Sequence, residues 1–151
     1  MQTKNQLLPN DSQLVFITDE TGIFDAFEQI KGQLSQLTAG FIILIYAINE
    51  SDDNHLPFLR ELNILEKRFF KKIIVYKLHT YSVTFYDSSL IQEFLEAIFN
   101  SSIEPKLEFS IFGPAEFVNQ ITDILGFLDV KSSFIKQCRL DKEFQISEGY
   151  K

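Results

Sequence analysis

Side chains that bind metals or form disulfides are scarce in this chain of 151 residues. Cys138 is the only cysteine, and His55 and His79 are the only histidines. A single cysteine excludes an internal disulfide and a zinc site built on several cysteines. A site on the two histidines would also need carboxylates, and no spacing in the chain indicates one. The sequence therefore predicts no metal site.

Long apolar segments are also absent. The longest unbroken run is Phe41–Ile48, whereas a helix needs about 20 apolar residues to cross a bilayer. Residues 1–13 are polar and lack the apolar stretch of a signal peptide. The apolar content of 45% is ordinary for a globular protein. We therefore expect a soluble, cytoplasmic protein that has no membrane partner.

Positive charge is in the minority. The chain has 14 Lys and Arg residues against 21 Asp and Glu, and its net charge is −7. This balance argues against a nucleic-acid partner, because nucleic-acid binding proteins carry a basic face. The middle of the chain nevertheless contains a basic cluster: Lys67, Arg68, Lys71, Lys72 and Lys77. Two interpretations stay open, a solvated helix end followed by a strand, or an anion site.

The chain does contain an alternation of strand and helix patterns. Segments rich in β formers predict strands over 13–18, 41–48, 72–78, 107–112 and 133–140. Residues 81–86 form a further short strand or an extended loop. Apolar residues spaced by three and four predict helices over 21–34, 56–65, 88–99 and 114–128. Pro57 suits the first turn of the second helix, and Pro114 suits the first position of the last one.

This order of elements predicts an α/β fold. Strands and helices that alternate at this spacing are joined by right-handed crossovers, which gives one parallel sheet with helices on both faces. We expect a single three-layer, Rossmann-like domain with a five-stranded parallel sheet over residues 13–146. Residues 1–12 are then an N-terminal extension, and residues 147–151 are a C-terminal tail.

The architecture also indicates where a ligand would bind. Open parallel sheets bind ligands at the carboxyl ends of their strands, where the strand order reverses. The loops to consider are residues 19–22, 49–54, 79–80 and 113–116. Two of them contain glycine and lead into helix N-termini, whose free N–H groups can hold an anion. Neither matches G-x-G-x-x-G or the P-loop pattern, and Asp19 and Glu20 would repel a phosphate.

The acidic pair Asp19 and Glu20 raises a competing interpretation. A receiver domain carries two acids after its first strand, where they bind Mg²⁺. It also needs a phosphorylatable Asp at the end of its third strand. The third predicted strand here runs into Lys77, Leu78 and His79. The missing Asp argues against a receiver domain.

Four segments in order carry a pattern of their own. The first strand runs into Thr21-Gly22-Ile23, and the second into INESDD, where Asn49 follows the apolar run. LPFLRELNIL follows, and IFGPAEF, which holds Gly113-Pro114, comes later. In this order the segments resemble the nicotinamide-binding domain of the ferredoxin reductase superfamily, over roughly residues 13–144.

The chain also departs from that superfamily at three places. The family opens with G-G-T-G-I-T-P, and here Asp19 and Glu20 replace the two glycines. Asn49 stands in the place of an Arg after the second strand. Phe112 replaces the Cys of the later C-G-P segment.

One branch of the superfamily is more similar to this chain. Siderophore-interacting proteins, which are flavin-dependent ferric-siderophore reductases, carry D-E-T or D-E-S at the first turn. They also end near G-Y-W and a basic residue. The chain has Asp19-Glu20-Thr21 and Gly149-Tyr150-Lys151, although it contains no Trp.

The resemblance implies a strand order of 3-2-1-4-5 and a domain that binds NAD(P)H and passes hydride to a flavin held elsewhere. The protein would orient the cofactors, which carry the chemistry, so no catalytic residue is assigned. The acidic loop after the second strand favours NADH over NADPH, because an acid suits a free 2′-hydroxyl. The implied cofactor-binding residues are Thr21, Gly22, Asn49, Lys77, His79, Phe112, Gly113, Pro114 and Glu116.

The flavin would have to lie on a separate domain or on a flavoprotein partner. The 12 residues before the first predicted strand are too few for the flavin-binding barrel of that superfamily. The replaced glycines and Cys keep a second interpretation open, a non-catalytic interaction domain of the same fold that has lost its nucleotide site. An oligomer also stays open.

Overall fold

The computed structural model describes residues 13–36, 41–48, 57–79 and 107–140. A short 3₁₀-helix, Ser132–Phe134, precedes the last strand. The strands are β1 Gln13–Thr18, β2 Ile42–Ile48, β3 Ile73–His79, β4 Leu107–Gly113 and β5 Ile135–Arg139. The helices are α1 Ile23–Leu34, α2 Leu59–Arg68 and α3 Ala115–Phe127.

The five strands form one parallel sheet in the order β3-β2-β1-β4-β5. This confirms the predicted α/β class and the order 3-2-1-4-5. Thr18, at the end of β1, pairs with Tyr46 of β2 on one side and with Phe112 of β4 on the other. The three strands therefore end side by side, at what we call the carboxyl edge. The strand order reverses between β1 and β4.

Strand β2 is buried along its whole length. All seven of its residues are inaccessible or nearly so, as expected for a central strand of a parallel sheet covered on both faces. Ile43 and Ile45 pack in the same cluster as α3, whereas Leu44 and Tyr46 pack in the cluster of α1 and α2. Successive side chains of a strand point to opposite faces of the sheet. The two clusters are therefore the contacts between the sheet and the helices on each of its faces, as the predicted three-layer domain requires.

Helix α1 buries one continuous stripe against the sheet. Burying each large apolar side chain of this kind contributes about 1.5–3 kcal/mol. Asp25 lies in the first turn and Lys31 in the last, which suits the helix dipole at both ends. The buried residues, spaced by three and four, are Ile23, Ala26, Phe27, Ile30 and Leu34.

Helix α3 covers the opposite face in the same way. It follows β4 after a single residue, Pro114. Pro114 is the N-cap, with φ −64° and ψ 159°, so it lies one residue before the first helical position that the sequence predicts for it. The stripe that packs on the sheet consists of Phe117, Val118, Ile121, Ile124 and Leu125.

Helix α2 begins and ends three residues later than the predicted span of 56–65. Pro57 precedes the helix and is not in its first turn, because Phe58 takes a left-handed conformation with φ 63°. The Tyr46 hydroxyl donates a hydrogen bond to the Pro57 carbonyl at 3.0 Å. A tertiary contact therefore holds the chain out of the helix until Leu59.

The last strand is shorter than the predicted span of 133–140. Residues 132–134 form the 3₁₀-helix, in which the Phe134 amide donates to the Lys131 carbonyl at 2.9 Å. The strand predicted over 81–86 and the helix predicted over 88–99 lie outside the described residues. Within the described ranges, no helix has the length and apolar character needed to span a membrane.

Candidate functional site

Two turns meet at the carboxyl edge, between β1 and β4. The first turn, Asp19–Gly22, connects β1 to α1, and the second turn, Gly113–Pro114, connects β4 to α3. A Cβ atom at Gly22 would lie 2.6 Å from both the carbonyl carbon and the carbonyl oxygen of Phe112. The first turn therefore packs directly on the backbone that enters the second turn, and only glycine fits there.

Gly113 is required for two reasons. Its φ of 153° is a conformation that residues with a side chain rarely adopt. A Cβ atom on it would also lie 2.9 Å from Cδ2 of Phe117 and 3.1 Å from Oδ1 of Asp19. Packing within the protein thus explains both glycines of the predicted nucleotide-binding turns.

The side chain of Asp19 folds back onto its own turn. Its Oδ1 atom accepts hydrogen bonds from the Thr21 amide at 3.0 Å, from the Thr21 hydroxyl at 2.7 Å and from the Gly22 amide at 3.0 Å. Side chains of Asp commonly bind backbone N–H groups two or three residues ahead in this way. The sequence assigns these same donors to a pyrophosphate. In this structure they donate instead to a carboxylate of the chain itself.

The environment of Asp19 raises the pKa of its carboxyl above the ordinary value. Burial is the main cause, because it penalises the charged form, and the hydrogen bonds from Thr21 and Gly22 act in the opposite direction. Three hydrogen-bond donors thus favour the ionised form of Asp19, whereas the burial of its side chain opposes that form.

Tyr46 connects the first turn to the start of α2. Its side chain is fully buried, and its hydroxyl donates to the Pro57 carbonyl. Burial raises the pKa of the Tyr46 hydroxyl, and the negative charges of Glu20 and Asp19 raise it further. Asp19 and Glu20 therefore give the ends of β1 and β2 a negative electrostatic potential, which opposes the binding of a further anion there.

Phe112 belongs to the core. Its side chain is fully buried, and its ring stacks on Phe16 with centroids 5.9 Å apart and planes at 14°. A fully buried ring presents no surface to a ligand, so the predicted part of Phe112 in a cofactor site would fall to its backbone. What Phe112 offers at the edge is its backbone, on which Gly22 packs.

The other predicted residues lie at different distances from the two turns. Pro114 is half-buried in the second turn, and Glu116 is exposed in the first turn of α3. Lys77 is exposed on β3, and His79 ends that strand opposite Ile48. Because β2 separates β3 from β1, these two residues lie about 10 Å from the first turn across the sheet. Asn49 lies outside the described residues.

The basic cluster lies at the opposite end of the sheet, apart from Lys77. Lys67 and Arg68 end α2, and Lys71 and Lys72 lie in the turn before β3. This is the amino edge of the parallel sheet, so these four residues are remote from the two turns. Three of them are exposed, which fits the interpretation as a solvated helix end.

A pocket in the described part of the chain also lies towards the amino ends of the strands. It has a volume of about 280 Å³. Leu14, Ser110, Phe134 and Lys136 are among the residues that line it. It contains none of the residues that the sequence assigns to a cofactor.

Asp19 is the residue whose role the sequence reasoning missed. Its charge predicts repulsion of a phosphate, whereas the structure shows it as the acceptor that organises the turn. The spacing of Asp19, Thr21 and Gly22 is the signal that indicates this, since an Asp two residues before a polar turn residue is typical of a side-chain-to-backbone turn.

The fold of this chain has clear counterparts among solved structures, although no protein-family model and no curated protein sequence matches it. A point mutant of ferredoxin-NADP+ reductase from Plasmodium falciparum matches with a TM-score of 0.68 and 20% identity, over 89% of this chain and 55% of that one. The unmutated enzyme matches with a TM-score of 0.67 and 20% identity, over 89% and 56%. The chain has a ferredoxin reductase-like fold.

A second type of reductase supports the same conclusion. The cytochrome b5 reductase domain of nitrate reductase from Ulva prolifera matches with a TM-score of 0.59 and 16% identity, over 83% of this chain and 48% of that one. The Plasmodium falciparum enzyme in complex with 2'P-AMP matches with a TM-score of 0.61 and 21% identity, over 87% and 52%. The chain thus spans about half the length of the solved structures that it matches.

Proposed function

We propose that this chain is the pyridine nucleotide-binding domain of a flavin reductase, and that it delivers hydride from NAD(P)H to a flavin held elsewhere. The observation that carries the proposal is the meeting of two glycine-containing turns where the strand order reverses. In open parallel sheets this is the place where ligands bind. The ferredoxin reductase-like fold supports the same assignment.

The proposed dinucleotide lies along the carboxyl edge. The second turn and the start of α3, with Gly113, Pro114 and Glu116, flank the nicotinamide end. Thr21 and Gly22 flank the pyrophosphate, and the adenosine end extends towards Lys77 and His79 at the end of β3. The protein orients the two cofactors, and the hydride passes between them without an acid or base from this chain. Phe112 supports the site from the core.

Within the reductases, we propose a relationship to the siderophore-interacting proteins. Asp19-Glu20-Thr21 is the motif that supports it, and the hydrogen bonds of Asp19 to Thr21 give that motif a structural role. The acceptor would then be a ferric siderophore, reduced through the flavin. NADH is favoured over NADPH because the acids Glu50, Asp52 and Asp53 follow β2 in the sequence, and an acid at that position suits a free 2′-hydroxyl.

The flavin belongs to a separate domain or to a flavoprotein partner in this proposal. The chain spans 55% of the reductase from Plasmodium falciparum and 48% of the cytochrome b5 reductase domain. The remaining half of those proteins has no counterpart in the 151 residues. Hydride transfer therefore needs a second component to hold the isoalloxazine against the nicotinamide.

Calorimetric titration of the purified chain with NADH and NADPH tests the proposal. We expect NADH to bind with a Kd below about 1 mM, and NADPH to bind more weakly. A titration in which neither nucleotide produces saturable heat at that concentration, with or without a flavoprotein partner, would contradict the proposal. ADP-ribose serves as a control, because it has the pyrophosphate and lacks the nicotinamide.

A second candidate function is a non-catalytic interaction domain of the same fold. It is favoured by the fact that Asp19 holds the donors of Thr21 and Gly22. Packing also accounts for Gly22 and Gly113 without any ligand. This candidate predicts the absence of nucleotide binding in the same titration.

A further inference from the structure

We infer that Asp19 decides whether the carboxyl edge takes a dinucleotide: its carboxylate occupies the space between the two turns and has to leave before a phosphate binds there. The inference rests on the proposed function, since it concerns the same site. It assigns Asp19 as a specificity-determining residue that sets the affinity for phosphate-containing ligands.

The first argument is the saturation of the donors. The amide and hydroxyl of Thr21 and the amide of Gly22 all point at one oxygen, Oδ1 of Asp19, at 2.7–3.0 Å. A phosphate oxygen bound at the start of α1 would need the same groups. An entering phosphate therefore has to replace the carboxylate as their acceptor.

The second argument is the space above Gly113. Oδ1 and Cγ of Asp19 lie 3.1 and 3.4 Å from the position of a Cβ atom at Gly113. The shorter of these distances is tighter than nine in ten real Cβ contacts, so the carboxylate lies against the face of Gly113 that a side chain would cover. One carboxylate thus fills the approach to both turns.

The third argument is charge. An ionised Asp19 and a phosphate at the same donors would repel each other, because their negatively charged oxygens would lie within a few ångströms of one another. Rotating Asp19 away from the turn relieves the repulsion, but the hydrogen bonds to Thr21 and Gly22 oppose that movement. The wild-type chain therefore binds phosphate-containing ligands weakly.

Three variants separate these effects. Asp19→Ala removes the acceptor and opens the space, Asp19→Asn keeps an acceptor oxygen and removes the charge, and Glu20→Gln removes a neighbouring charge without opening the turn. Each protein is titrated with inorganic pyrophosphate and with NADH by calorimetry. Circular dichroism verifies that each variant is folded.

We expect Asp19→Ala to bind both probes at least about tenfold more tightly than the wild type. Asp19→Asn should show an intermediate gain, and Glu20→Gln should differ from the wild type by less than about twofold. If Asp19→Ala does not fold, the comparison rests on Asp19→Asn, and an affinity equal to that of the wild type overturns the inference.

The outcomes distinguish the inference from the proposed function. A gain for pyrophosphate without any binding of NADH supports the role of Asp19 and contradicts the dinucleotide proposal. Binding of NADH by the wild type, with no gain in a folded Asp19→Ala, overturns the inference and leaves the proposed function standing. If neither probe binds to any of the proteins, both are overturned.

Discussion

The Oδ1 atom of Asp19 lies 3.1 Å from the position that a Cβ atom would take at Gly113. The same oxygen accepts the hydrogen bonds of Thr21 and Gly22. One carboxylate therefore contacts both the turn after β1 and the turn after β4, where the strand order reverses. The absence of a side chain at Gly113 leaves the space that the Asp19 carboxylate occupies, so the conformation of each turn depends on the other.

Replacing Asp19 by Ala should destabilise the fold. The change removes the side-chain acceptor of the Thr21 amide and hydroxyl, whereas the Gly22 amide still donates to the Asp19 carbonyl at 3.2 Å. Because Thr21 is exposed and its donors can bind water, we expect a loss of about 1 kcal/mol of unfolding free energy. Urea denaturation followed by circular dichroism measures the loss. Asp123→Ala is the matched control, because Asp123 is exposed on α3 and its loss should change stability by less than about 0.5 kcal/mol. Equal stabilities of the Asp19 variant and the wild type would show that these hydrogen bonds contribute nothing.

Two glycine substitutions should have effects of opposite sign. Gly22→Ala places a methyl group 2.6 Å from the Phe112 carbonyl and should cost about 1–3 kcal/mol, as overpacking does. Gly32→Ala, inside α1, has no atom within 4 Å of the new methyl. It should stabilise the fold by about 0.5–1 kcal/mol through helix propensity. Thermal unfolding of the two variants in parallel measures both changes in stability. A Gly22→Ala variant as stable as the wild type would refute the close packing of the turns.

Two phenylalanines should differ sharply in their contribution to stability. Phe112 is fully buried and stacks on Phe16, so Phe112→Ala should cost about 3–5 kcal/mol. Phe127 is 72% exposed, and Phe127→Ala should cost less than about 0.5 kcal/mol. Chemical denaturation provides both values. A small loss for Phe112→Ala would mean that its ring is outside the core and free to meet a ligand.

The stability should depend on pH through Asp19. Burial raises its pKa in the folded chain, so the folded state holds a proton more readily than the unfolded state. The stability that Asp19 contributes is complete below the unfolded pKa of about 3.9 and is lost as the pH rises through the folded pKa. The neighbouring titratable groups are Glu20 and, from β2, Tyr46, which stays neutral because its own pKa is raised.

Denaturation of the wild type and of Asp19→Asn between about pH 3 and about pH 7 isolates this contribution. The wild type should lose stability relative to the Asn variant as the pH rises. The reverse trend, in which the wild type gains on the variant, would mean that the three hydrogen bonds outweigh burial and lower the pKa.

The features predicted well from the sequence are those that depend on local pattern. Phe41–Ile48 is apolar throughout, and a strand with no polar face has to be covered on both sides, which β2 is. The start of α2 escapes prediction for a physical reason. Phe58 is left-handed and its ring packs 4.8 Å from that of Phe27, a contact between segments that no local pattern encodes.

The candidate site also has features that the sequence predicts and features that it does not. Thr21, Gly22, Gly113 and Pro114 are predicted at the strand ends, and the structure brings them together because β1 and β4 pair. The orientation of two side chains is not predictable from type and spacing alone. Asp19 turns inward because its own turn presents three donors to one oxygen, and Phe112 turns into the core because of the face of β4 that it occupies.

The central claim is that a pyridine nucleotide binds across the two turns. Amide NMR spectra of ¹⁵N-labelled chain, recorded during a titration with NADH, test it most directly. The account predicts saturable shifts for the amides of Thr21, Gly22, Gly113 and Ala115 at the carboxyl edge. Unchanged spectra, or shifts confined to the amino edge around Ser110 and Lys136, would contradict it.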